Sequence, residues 1–324
     1  MTRSVSRLYT SVTARPGPSA LLAAVERQYL QHMRMGAERA AGTWWARHPL
    51  ALFTVLAYAI SWFCWVPLLA DRQNWVSWSP SPYLHLLGSL GPAAAALVVI
   101  GTVRGRSGVL DTLKRAVAWR GRLRWLALAG LGPLALFAVA ALIVRVVEGT
   151  WPDLSRFGAS TEYPALPLLA YWVVSLLFYG FGEEIGWRGF AQPTLARRHS
   201  ALRAALVVSL IWATWHLPLF GITATYRAMP AIGFVGFLLS IVTASLLLAW
   251  LYLRSRASIL VVAVFHAVFD IATTTPTTTV LIPTVMGAVI TLTGLAVIPS
   301  LSRRQRSPLH LITKTGQGAS RAGN

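Results

Sequence analysis

Eight apolar stretches, most of them close to 20 residues long, run through this chain: Leu50–Ala70, Leu84–Val103, Trp125–Val147, Pro167–Phe190, Ala204–Phe220, Ile232–Leu253, Ile259–Thr274 and Val280–Pro299. A helix rises ~1.5 Å per residue, so ~20 such residues cross the ~30 Å hydrocarbon layer of a bilayer. Lipid offers the backbone no hydrogen-bond partners, and only helices or closed barrels satisfy it there. These stretches lack the apolar–polar alternation of a barrel strand. The expected fold is therefore an all-α, polytopic transmembrane helical bundle of about eight spans. Composition agrees, with 55% hydrophobic and only 12% charged residues.

The charges between the stretches set an orientation. Residues 1–49 carry seven Arg, loop 104–124 seven Lys or Arg, loop 191–203 three, loop 254–258 two and the tail after Pro299 five. The intervening loops carry one, one, one and none. Basic loops stay on the cytoplasmic side, so this alternation predicts both termini in the cytoplasm. The same placement explains the net charge of +19. The positive residues lie at membrane edges, where they meet anionic lipid head groups, and no basic run is interleaved with aromatics as a nucleic-acid channel requires. No nucleic-acid partner is expected.

Three regions follow. Residues 1–48 form a cytoplasmic segment in which Leu21, Leu22, Val25, Tyr29 and Met33 recur at roughly helical spacing, which fits either a helix lying on the membrane surface or, equally, a poorly ordered tail. No short apolar core with a small-residue cleavage site marks a signal peptide there. Residues 49–299 form the transmembrane domain, and residues 300–324 a basic tail expected to be disordered. The single cysteine, Cys64, excludes an intrachain disulfide and a cysteine-based zinc site.

Against this background, two adjacent carboxylates inside the fourth apolar stretch stand out: Glu183 and Glu184, in Phe181-Gly182-Glu183-Glu184-Ile185-Gly186-Trp187-Arg188. Burying a carboxylate in a membrane costs several kcal/mol unless it is paired, protonated or wetted. Glu184 and Arg188 are four apart, share a helix face and can pair. Glu183 is turned about 100° away and is expected to face a cavity without a partner. Two further spans carry buried ionisable groups at the same spacing: Trp212 with His216, and His266 with Asp270. Residues that form one site must lie at one depth. His216 and His266 lie ~20 Å and ~15 Å from the cytoplasmic ends of their spans. Glu183 matches them only if the fourth helix continues past Arg188 and ends near Arg197 and Arg198. Arg145 lies near the outer end of its span and can snorkel to the surface, and His85, near a span start, reads as an interfacial or a satisfied histidine.

These motifs together resemble the intramembrane proteases of the CAAX-processing and bacteriocin-processing type. That family has Glu-Glu-x-x-x-Arg, then an aromatic-x-x-x-His, then His-x-x-x-Asn or Asp on three separate spans. Here the matching positions are Glu183, Glu184 and Arg188, then Trp212 and His216, then His266 and Asp270, in that order. The stretch from Gly88 to Ala93 also looks like an earlier span of the family. Trp212 stands where phenylalanine is frequent, and Asp270 where enzymes acting on prenylated proteins have asparagine. An ionised Asp cannot donate to an oxyanion, which favours a role in orienting His266 or binding metal.

The resemblance implies hydrolysis of peptide bonds in a membrane-anchored, hydrophobic or lipidated peptide substrate, by a multi-pass protein of the bacterial cytoplasmic membrane. Two mechanisms use the same residues. In one, His216, His266 and Glu183 hold a divalent metal such as Zn²⁺, with water at the fourth position. In the other, Glu183 and His216 activate water and protonated His266 stabilises the oxyanion. A non-enzymatic bacteriocin-immunity or scaffold protein, or a small transporter, is the rival reading. The inverted repeats and broken helices of a transporter are not evident in the sequence.

Overall fold

A computed structural model describes residues 44–277 and 279–302. The segment within residues 1–48 that fits a surface helix or a poorly ordered tail, and the tail from residue 303 onward, lie outside the described residues. After a single helical turn, Trp44–Arg47, the described residues form eight longer helical segments, with one more short turn, Ala224–Arg227, between the fifth and sixth: α1 (Pro49–Arg72), α2 (Tyr83–Ala116), α3 (Leu123–Glu148), α4 (Leu168–Ala196), α5 (Ala201–Ile222), α6 (Ala231–Arg254), α7 (Ile259–Thr274) and α8 (Leu281–Ser302). Among the described residues there is no strand. All eight segments coincide with the apolar stretches. Seven of them are long and apolar enough to cross a membrane, while α7 is a shorter apolar helix of 16 residues. The outward faces are apolar, with Phe63, Leu169 and Ile232 almost fully exposed, as lipid-facing side chains are.

Several boundaries differ from the expected ones, each for a local reason. Helix α2 runs 13 residues beyond Val103 because Gly105 adopts φ 64° and ψ −169°. This conformation, closed to residues with a Cβ, lets a basic helical piece leave the axis of the apolar one. Helix α4 reaches Ala196, the length that the depth argument required. Helix α5 is interrupted at Pro218, which cannot donate a backbone N–H; regular helix stops at Trp215 and resumes at Leu219.

Helix α4 is the centre of the bundle, packed against α2 on one side and α7 on the other. Glycines permit this. A Cβ on Gly182 would lie 2.7 Å from the Ser89 carbonyl oxygen, and one on Gly186 would lie 2.5 Å from the Pro92 Cβ. A Cβ on Gly180 would lie 2.7 Å from the Ala263 carbonyl oxygen on α7. Small residues four apart let membrane helices approach at backbone distance. The Gly88–Ala93 stretch is thus the surface on which the glutamate-bearing helix rests. Its own back is fitted to α1, where Ser61 Oγ donates to the Gly88 carbonyl at 2.7 Å and accepts from Trp215 Nε1 at 2.8 Å.

Candidate active site

Helix α4 carries the acidic pair on a short α-helical turn, Gly182–Gly186, between two wider π-helical segments, Leu176–Phe181 and Trp187–Ala191. Such segments are rare and recur at functional sites. Nothing in the sequence pattern announced them.

Glu184 is fully buried. Its Oε1 accepts from Arg188 Nη1 at 2.9 Å and meets His266 Nδ1 at 2.8 Å. The expected ion pair is therefore present, and one oxygen ties α4 to α7. His266 Nε2 faces Asp270 Oδ2 at 3.4 Å, the expected contact within α7 but a long one. Both nitrogens of His266 thus face carboxylate oxygens. Arg188 is fully buried, and among the described residues its Nε and Nη2 have no hydrogen-bond partner.

Glu183 differs from the expectation. It is not left without partners: its Oε2 accepts from Trp212 Nε1 at 2.7 Å and from Trp187 Nε1 at 3.3 Å. Two indoles, one from the neighbouring helix, compensate the buried carboxylate where a cation was absent. Among the described residues its Oε1 accepts no hydrogen bond. Trp187 sits four residues after Glu183, a spacing visible in the sequence; the Trp212 bond joins two helices and left no local signal.

His216 ends the regular part of α5. Because Pro218 interrupts the helix, the His216 N–H turns to the Ala213 carbonyl at 3.2 Å. The Trp212 carbonyl then receives His216 Nδ1 at 2.7 Å. A carbonyl can only accept, so Nδ1 carries the proton and Nε2 of the neutral ring keeps its lone pair. The ring lies between Trp215 and Phe237, at centroid distances of 4.9 and 5.7 Å.

Trp212 connects these groups. Its ring lies 5.7 Å from His216 and 5.4 Å from His266, and the Arg188 guanidinium lies 5.1 Å from its centroid. All six residues singled out from the sequence are therefore brought into one cluster. Exposure divides it: Glu184 and Arg188 are sealed, whereas Glu183, His216 and His266 retain 4, 7 and 7%. A separate apolar groove between α4 and α7, lined by Leu176, Val264 and Ala267 among others, runs alongside.

Zinc is the metal that His216, His266 and Glu183 would suit by type. Among the described residues, however, no three or more His, Cys, Asp or Glu side chains are gathered so as to hold a metal ion. Both ring nitrogens of His266 face carboxylate oxygens, which accept N–H donors, so neither presents a lone pair to a metal.

Residues 165–272 match the family model of the type II CAAX prenyl endopeptidases, Rce1-like. The chain resembles that family over this segment. The segment contains all six clustered residues, so the resemblance carried by the three motifs is shown there. A CAAX prenyl protease 2 from Methanococcus maripaludis is 29% identical over 119 residues, or 36% of this chain. The aligned part spans 42% of the length of that relative.

Proposed function

We propose that this protein is an intramembrane endopeptidase that uses Glu183 and His216 to activate water. One observation carries the reading: Glu183 is fixed through Oε2 with Oε1 left over, in the same cluster as an imidazole whose Nε2 lone pair is unclaimed. Glu183 Oε1 takes a proton from water as the water oxygen bonds to the scissile carbonyl carbon. His216 Nε2 accepts the second hydrogen of that water and so orients it. The carbonyl oxygen becomes an oxyanion and accepts from His266 Nε2–H, whose 3.4 Å contact with Asp270 is the weakest in the cluster. Glu183 then passes its proton to the amide nitrogen as the C–N bond breaks. Glu184 and Arg188 hold His266 in place.

The substrate we propose is a membrane-associated peptide with a lipid-modified cysteine near its C-terminus, the class named for the archaeal relative. The apolar groove beside α4 and α7 suits a greasy segment. The test is cleavage of prenylated and unprenylated tail peptides by the purified protein in nanodiscs, with and without a chelator. Cleavage is expected in wild type, abolished in Glu183→Ala and unaffected by the chelator. An inactive wild type that remains well folded across a broad peptide set favours the immunity or scaffold reading. Loss of turnover on chelation restores the metal version.

A further inference from the structure

Trp212 occupies a place that the reaction scheme does not use. It is 4% exposed and yet touches every charged member of the cluster except Glu184 and Asp270. A phenylalanine there would supply the same ring to Arg188 and His266 and the same main-chain carbonyl to His216. It would not supply an N–H. The indole nitrogen is the one part of Trp212 that packing alone does not require, and it makes the shortest bond to Glu183, at 2.7 Å.

We infer that Trp212 is a positioning residue for the general base, acting together with Trp187. The inference rests on the proposed role of Glu183. Two indoles donate to the same oxygen, Oε2. This pins the carboxylate in rotation and leaves Oε1 as the oxygen that meets water. The donors come from α4 and α5, so the carboxylate is aimed only when these helices are in register. Trp187 has the longer bond, 3.3 Å, and acts as the auxiliary donor. It is anchored by aromatic edges, Phe53 at 5.6 Å and Trp215 at 5.9 Å.

The test has two arms. The first uses protein in nanodiscs with ¹⁵N-labelled indole and needs no activity. The Trp212 Nε1–H resonance, assigned by its absence from Trp212→Phe, is expected to move when Glu183 is changed to Gln. An unmoved resonance overturns the inference. The second arm is kinetic. Loss of one hydrogen bond to a charged group corresponds to a fall of ~10- to 100-fold in kcat, with KM nearly constant. Trp212→Phe is expected to show this while still unfolding in a single cooperative transition, at a somewhat lower midpoint because a buried carboxylate loses a donor, and Trp187→Phe to show a smaller fall. If wild type cleaves and Trp212→Phe retains its kcat within about twofold, the ring alone suffices and the inference fails. If wild type cleaves nothing, the protease reading fails and the role in turnover with it, while the resonance still reports whether the tie exists.

Discussion

Replacing Gly186 with alanine tests whether backbone-distance packing of α4 sets the site. The new Cβ would lie 2.5 Å from the Pro92 Cβ and 2.7 Å from the Pro92 carbonyl carbon and oxygen. Ordinary carbon contacts begin near 3.4 Å, so the helices must part by roughly 0.9 Å. Pro92 is a rigid part of α2 and cannot rotate away. Overpacking of this kind costs about 1–3 kcal/mol, and the better helix propensity of alanine offsets up to about 1 kcal/mol of it. A net loss of about 1–2 kcal/mol is expected. Glu184 sits two residues earlier and must stay within hydrogen-bond reach of His266 on α7. Displacement near 1 Å in a catalytic constellation can cost about 100-fold in rate. The assay pairs thermal unfolding in nanodiscs with kcat/KM on the cleaved peptide. Gly287→Ala in α8 is the control, because a Cβ there meets nothing within 4 Å. It should gain about 0.5–1 kcal/mol from helix propensity alone. If both substitutions stabilise and neither slows turnover, close packing does not set the site geometry.

Removing Arg188, as in Arg188→Met, leaves Glu184 buried beside His266 alone and should destabilise the protein by about 3–5 kcal/mol in thermal or denaturant unfolding. Ser258→Ala removes the side chain that caps α7 by accepting from the Val261 N–H at 3.3 Å; a loss of about 1 kcal/mol is expected in the same assay. By contrast, Asp111→Asn breaks exposed pairs with Arg104 and Arg115 at 3.4 and 3.2 Å and should change stability by less than about 1 kcal/mol, an effect that vanishes in high salt.

The features legible in the sequence are those with a period. Apolar stretches gave the helices, and the i, i+4 rule gave Glu184–Arg188 and His266–Asp270, because both depend on the pitch of one helix. The length of α4 is legible for the same reason, because it follows from rises along helix axes. Bonds between helices carry no such period. The tie from Glu184 to His266 crosses 82 residues, and that from Glu183 to Trp212 crosses 29. Glu183, expected to lack a partner, has two indole donors, because the Trp212 side chain brings an N–H as well as a ring. The π-helical segments that flank the acidic pair were equally hidden, since the apolar pattern around them does not distinguish a 3.6-residue turn from a wider one.

Glu184 Oε1 serves Arg188 on its own helix and His266 on α7 at once. A slip of α7 by one residue would swing His266 through about 100°, stripping its imidazole of Glu184 and leaving Glu184 to Arg188 alone in an apolar medium. Lipid-facing helices of leucine, valine and alanine hold little information about how far one should slide along another. This single oxygen supplies that information. It works as a vernier for the bundle, separating the one alignment in which the buried charges close from neighbouring alignments that greasy contacts alone would tolerate.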